Sequence, residues 1–245
     1  MAQATLAKED WDFDPRELPI YSVGEAARYL NLPVSTLSSW VKGRDYVAGG
    51  RTKRWGPLIQ IADAKGSFLS FNNLVEAHVL KAIRTRHGVP MRGVQAALDY
   101  ARRAHKIDRL FLSDDLRAVE QKPEDAVRKS VGALFLEMLG EVEQISEGGQ
   151  LVIRNALTRH LDRIERDSSG MPIRLFPFVS RFPEREILID PRVSFGRPVL
   201  VKRGIRVATV VDRIEAGESV EHIAKNYGLD PADIERALDF FEQAA

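Results

Sequence analysis

Tyr21 to Arg44 reads Y-S-V-G-E-A-A-R-Y-L-N-L-P-V-S-T-L-S-S-W-V-K-G-R, and this stretch decides the fold of the N-terminal part. Ser22 followed three residues later by Glu25 is a capping box, so a helix starts near Val23. Val23, Ala26, Ala27 and Leu30 line one apolar face at helical spacing. Asn31 suits the left-handed conformation that closes a helix, and Pro33 cannot continue it. A second helix is expected from Val34 to Gly43, with Leu37, Trp40 and Val41 inward. Two short helices across a tight turn make a helix-turn-helix, whose second helix fits a major groove. Outward on it stand Ser35, Thr36, Ser38, Ser39 and Lys42, all able to hydrogen-bond base edges or phosphates.

Outward along the chain, Arg44, Arg51, Lys53 and Arg54 surround Gly49-Gly50 and Trp55. Leu58–Ile61 is expected as a strand, Ala64-Lys65-Gly66 as a turn, and Phe68–Ser70 as the returning strand of a cationic wing. Ser70 or Asn72 caps a helix running to about Arg86 through Leu74, Ala77, His78 and Lys81. Gly88 ends it, and Pro90 opens another through Val94, Ala97, Leu98 and Ala101.

Charge divides the 245 residues unevenly. Residues 1–20 hold two cations and five anions, residues 21–107 hold 14 and five, and residues 108–245 hold 20 and 25. A block of net charge +9 is a nucleic-acid footprint, and phosphate repels the acidic remainder. The absence of cysteine excludes disulfides, thiolate metal sites and cysteine nucleophiles. His78, His87 and His105 match no zinc spacing, so no metal or other cofactor is expected. No apolar run reaches 18 residues, and Asp10, Asp12 and Asp14 interrupt the start, so no membrane association and a cytoplasmic location are expected. No phosphate-cradling glycine loop, GxSxG or paired carboxylates point to catalysis, so the chain is not expected to be an enzyme.

The basic block resembles the DNA-binding domain of the MerR superfamily. The residues carrying this are Y-S-V-G-E-A-A-R-Y-L, S-T-L-S-S-W, and L-S-F-N-N-L-V-E-A-H-V-L-K-A-I-R-T-R-H-G-V-P-M-R-G-V-Q-A-A-L. The resemblance implies a winged helix-turn-helix followed by a helix pair. Ser38-Ser39 stand where that family usually has arginines, which shifts DNA contact toward Lys42 and the Arg51–Arg54 cluster.

After Lys106, Arg109–Leu112 is a candidate strand, residues 117–130 a polar insertion, and residues 133–145 a hairpin. Glu137, Glu141 and Glu143 read as a solvated face. Leu151–Asp167 is expected as one amphipathic helix and Ile173–Phe178 as a strand. Toward the end, Asp190-Pro191 and Gly196-Arg197-Pro198 are turn signals around a short strand pair. Three helices then follow, over Thr209–Ala216, Val220–Tyr227 capped by Ser219, and from Pro231 after Asp230. From residue 212 onward nine anions face three cations, so this trihelical unit suits protein contact rather than DNA.

The C-terminal stretch resembles a module of VapB-type antitoxins, through I-D-P-R-V-S-F-G-R-P, A-G-E-S-V-E-H-I-A-K-N-Y-G-L and the final helix. G-G-Q-L, L-D-R-I and M-P-I-R-L-F-P-F in the middle fit the same family. The resemblance implies an antitoxin of a type II toxin–antitoxin pair, which binds a PIN-like ribonuclease and represses its own operon as a homodimer on double-stranded DNA. Such ribonucleases hold metal in an acidic pocket, so an inhibitor offers cations, here Arg197, Lys202, Arg203 and Arg206.

The expected fold is α+β and mostly helical. It comprises an acidic segment (1–20), a winged helix-turn-helix (21–106), a middle α+β region (107–186) and a trihelical module (187–245). The alternative function is a ligand-responsive MerR-like regulator without a toxin, which the normal-length helix after Pro90 disfavours because it carries no heptads beyond it.

Overall fold

The computed structural model describes residues 13–61, 63, 65, 67–85, 91–113, 116, 155–179 and 185–242. Strand β1 (Tyr21–Ser22) leads directly into α1 (Val23–Tyr29). The capping box is formed: the Ser22 hydroxyl accepts from the Glu25 N–H at 3.2 Å, and the Glu25 carboxylate accepts from the Ser22 N–H at 3.0 Å. Asn31 takes φ 48°, and the Lys81 ammonium donates to the Leu30 carbonyl at 2.7 Å, satisfying the helix end. Helix α2 (Val34–Lys42) buries Leu37, Trp40 and Val41 and stops at Gly43.

Gly43 has φ 77°, and a Cβ there would stand 2.3 Å from the Trp55 carbonyl oxygen. That close approach lets the chain turn straight from α2 into a hairpin of β2 (Arg44–Ala48) and β3 (Arg51–Trp55). Gly49 and Gly50 close it, both at positive φ (60° and 71°), the geometry that matches the twist of a two-residue hairpin. The wing is therefore residues 44–55 and not the expected 58–70. The alternation rule misses it because both faces are polar. Leu58 and Ile59 instead donate their N–H groups to the Trp40 carbonyl at 2.8 and 3.1 Å, and Ile59 is buried. Their apolar character seals the end of α2. The returning strand β4 (Phe68–Leu69) pairs with β1.

Ser70 and Asn73 cap α3 (Phe71–Thr85) reciprocally, the Ser70 hydroxyl accepting from the Asn73 N–H and the Asn73 amide oxygen from the Ser70 N–H. Side chains all round α3 are buried, including Phe71, Leu74, Val75, Leu80 and Ile83, so it is the central helix. His78 is buried too; its Nε2 lies 3.1 Å from the His160 carbonyl, and burial pushes its pKa well below the ordinary value. Helix α4 is Met91–His105. The expected junction at Gly88-Pro90 lies outside the described residues, as do His87, the insertion at 117–130 and the hairpin at 133–145.

Two expectations in the middle need correction. Leu110–Leu112 form a 3-10 turn with all three side chains buried, not a strand. Residues 155–161 are helical (α5), but the helix does not continue to Asp167. Ile164–Arg166 form β5, antiparallel to β6 (Pro172–Leu175). The Asp167 carboxylate accepts from the N–H groups of Ser169 and Met171 at 2.9 and 3.0 Å. This Asx-type turn overrides the helical spacing of Ile164. Strand β6 also ends at Leu175, short of the expected Phe178.

Strand β7 (Ile187–Leu188) pairs with β8 (Val199–Leu200). Helices α6 (Val207–Glu215), α7 (Val220–Tyr227) and α8 (Pro231–Glu242) follow. Ser219 caps α7, and Gly228 closes it at φ 62°. At α8 it is Asp233, rather than Asp230, whose carboxylate accepts an N–H, that of Asp230, at 3.1 Å.

These elements enclose two cores. The first joins α1–α4 to Leu110–Leu112, Leu157, Leu161, Ile164, Leu175 and Ile189, and so continues past residue 106. The second lies among β7, β8 and α6–α8. Tyr29 of α1 packs on both. Its ring stacks on Phe240 at 6.3 Å and meets Tyr21 edge-on at 6.1 Å, and the Arg28 guanidinium lies 5.4 Å over Phe241. Gly43→Ala is expected to destabilise the chain by about 2–4 kcal/mol in denaturant unfolding, because it forces a side chain into a glycine-only conformation against a carbonyl. An unchanged midpoint would contradict the close approach.

Candidate nucleic-acid interface

Helix α2 holds the expected reading residues on its solvent side. Ser35 and Lys42 are exposed, and Thr36, Ser38 and Ser39 are half-buried. The Ser39 hydroxyl donates to the Thr36 carbonyl at 2.7 Å, so its proton is spent within the helix and it faces a ligand as an acceptor.

Cross-strand register sorts the wing into two faces. Arg44 opposes Trp55, Tyr46 opposes Lys53, and Ala48 opposes Arg51, which gathers three cations with two aromatic rings. The rings of Tyr46 and Trp55 lie 4.9 Å apart, edge to face, as a diagonal cross-strand pair that braces that side of the hairpin. The other face carries Asp45, Val47, Thr52 and Arg54. Arg54 donates to the Asp45 carboxylate at 3.2 Å and to the Lys42 carbonyl at 2.9 Å. It therefore ties the hairpin to the end of α2, and its charge is offset by Asp45. Among the described residues, Lys42, Arg44, Arg51, Lys53 and Lys65 form no ion pair, and all five are exposed. Residue type and position made these cations legible in the sequence. The bracing role of Arg54 was not, because it depends on a register that the misplaced wing hid.

The four C-terminal cations are not free as a group. The Arg197 guanidinium donates to the Glu25 carboxylate of α1. Burial alone would raise the Glu25 pKa, but the Ser22 N–H and hydroxyl and Arg197 hold it below its ordinary value. Lys202 donates to Asp230 and Asp233 at 3.1 and 2.8 Å, and Arg203 to the Gly228 carbonyl at 3.3 Å. Arg206 is exposed at the start of α6.

Among the described residues no group of three or more His, Asp or Glu side chains could hold a metal. No helix there is long and apolar enough to cross a membrane. A cleft of about 540 Å³ lies beside Arg109, Leu112 and Met171. Arg109 is occupied by Glu76 at 2.8 Å and Glu17 at 2.6 Å.

Residues 19–98 match the family described as "Putative DNA-binding HTH domain". The chain carries a helix-turn-helix domain at its N-terminal end. Residues 187–241 match DUF433, described as a protein of unknown function. Over 241 residues the chain is 29% identical to the Mycobacterium tuberculosis protein named "Putative antitoxin VapB45", covering 91% of this chain and 94% of that one. It is 27% identical over 231 residues to "Uncharacterized protein Rv2308" of the same organism, covering 90% and 89%. The crystal structure of Rv2018 from Mycobacterium tuberculosis superposes with a TM-score of 0.62 at 25% identity, covering 93% of this chain and 99% of that one.

The face that gathers Arg44, Arg51 and Lys53 makes a specific demand on duplex DNA binding. With these three, Lys42 and Lys65 on phosphates, log affinity is expected to fall with log salt at a slope of about −4 to −5 per protomer. Lys53→Ala should reduce that slope by about 1. A slope near zero, or one unaffected by Lys53→Ala, removes the wing from the interface.

Proposed function

We propose that this chain is an antitoxin that neutralises a PIN-like ribonuclease by direct contact and represses its own operon through the winged helix-turn-helix. The observation that carries the reading is its end-to-end similarity, over 91% of its length, to a protein named as an antitoxin. The charge partition supports it, since a basic block of net +9 precedes a remainder of net −5.

In this reading residues 21–106, MerR-like in type, contact operator DNA. A homodimer places two copies of α2 in successive major grooves of a palindrome. Residues 187–245 meet the toxin, with the middle region joining the two. Of the four cations expected at the toxin, Arg206 and Arg203 are the best placed. Arg197 and Lys202 are held by carboxylates of this same chain.

A ligand-responsive regulator is the second reading, and the cleft beside Arg109 is the observation in its favour. Co-purification of the tagged chain expressed with its neighbouring reading frames separates the two. A stoichiometric small ribonuclease is the expected result, and DNA binding with no protein partner would favour the regulator. With the ribonuclease in hand, Arg203→Glu combined with Arg206→Glu is expected to abolish silencing at equal dose. Full silencing would withdraw both residues from the toxin contact.

A further inference from the structure

Asp190 to Pro198, the loop between β7 and β8, contains three consecutive residues with left-handed backbone: Ser194 (φ 50°), Phe195 (φ 55°) and Gly196 (φ 73°). Glycine adopts this region without strain; a bulky aromatic residue does so rarely. Phe195 is also 80% exposed, more than any other large apolar side chain among the described residues. The position thus carries two unfavourable features together, and either would be relieved by a small or polar residue.

The strain is imposed from outside the loop. Tyr21, fully buried at the foot of α1, donates its hydroxyl to the Gly196 carbonyl at 2.9 Å. A Cβ on Gly196 would stand 2.2 Å from that hydroxyl and 3.1 Å from Ile20, so the backbone there is pressed against β1. At the other end the buried Asp190 carboxylate accepts from the Arg192 N–H at 2.8 Å and from the Arg174 guanidinium at 3.0 Å. The Val193 N–H also donates to the Asp190 carbonyl at 2.9 Å, and the Gly196 N–H to the Val193 carbonyl at 2.9 Å. The loop is over-determined on both sides of Phe195, which is how a strained conformation persists at a binding site. The result is a rigid ring held out in solvent, with little conformational freedom left to lose on binding.

We infer that Phe195 is the anchor by which this chain seats on its protein partner, its ring entering an apolar socket on the ribonuclease. The inference rests on the antitoxin reading for the partner's identity. Residues 190–206 around the ring carry five cations against the single carboxylate of Asp190, a charge that complements an acidic protein surface. Exposed Arg192, three residues before Phe195, supplies a polar rim that favours acidic groups beside the socket.

The test uses full-length Phe195→Asn, Phe195→Gly and Phe195→Trp chains with the ribonuclease that co-purifies with the wild type. Asn and Gly tolerate the left-handed backbone, so the thermal midpoint is expected to hold or rise by about 2–4 °C. Affinity for the ribonuclease should fall about 30-fold or more. Phe195→Trp should stay within about 3-fold of wild type, and DNA affinity should not change. Unchanged ribonuclease affinity in Phe195→Asn overturns the anchor while leaving the antitoxin reading intact. Loss of self-association with ribonuclease affinity retained also overturns it, assigning the ring to a second copy of this chain. A wild-type chain that captures no ribonuclease overturns the antitoxin reading and the anchor with it.

Discussion

Helix α1 is held between two hydrophobic cores, and the placing of the DNA-binding helices depends on that. Seven residues are too few to hold a helix alone in water, so its geometry comes from what packs on it. Ala26 and Ala27 face the first core, while Tyr29 reaches the second through Phe240. The Glu25–Arg197 pair is part-exposed and contributes about 0–1 kcal/mol. Apolar burial and ring contact therefore dominate the join, and the ion pair and the Tyr21–Gly196 hydrogen bond fix its register. Because α2 and the wing follow α1 through a tight turn, the C-terminal module helps to orient the helix offered to the groove.

The same arrangement accounts for the division of charge. Cations gather on one face of a hairpin, with Lys42 beside them at the end of α2, and the single carboxylate of the wing, Asp45, is turned to the opposite face and held by Arg54. In the C-terminal module Lys202 is drawn to the carboxylates around the start of α8. Asp233 is nearly buried there; burial would raise its pKa, but Lys202 and the Asp230 N–H keep it below the ordinary value. That charge is structural and is not available to a partner. Among the groups the module offers outward are Arg192, Arg203, Arg206 and the exposed Phe195 ring.

Much of the helical framework was legible because it is written in caps. Ser22 with Glu25, Pro33, Ser219 and Gly228 place the ends of α1, α2 and α7 within a residue: Ser22, Glu25, Ser219 and Gly228 satisfy backbone groups that only a helix end exposes, and Pro33 cannot continue α1. The wing was not, since a hairpin polar on both faces carries no alternating pattern and Leu58–Ile61 carries a misleading one. Helix α5 stops short of its expected end because Ile164 keeps helical spacing while the Asp167 side chain commits the backbone to a turn. For the site, residue types along α2 and the wing could be read directly. Pairings such as Arg197 with Glu25, 172 residues apart, or Tyr21 with Gly196, could not, because nothing local encodes them.

All three tryptophans, Trp11, Trp40 and Trp55, precede residue 56, so tryptophan fluorescence reports the N-terminal block alone. Denaturant unfolding followed by that fluorescence, compared between wild type and Phe240→Ala, tests whether α1 unites the two cores. The account predicts a lower fluorescence midpoint in the variant, coincident with the circular-dichroism transition. An unmoved fluorescence midpoint, with circular dichroism resolving two steps, would show that the cores stand independently and that α1 does not join them.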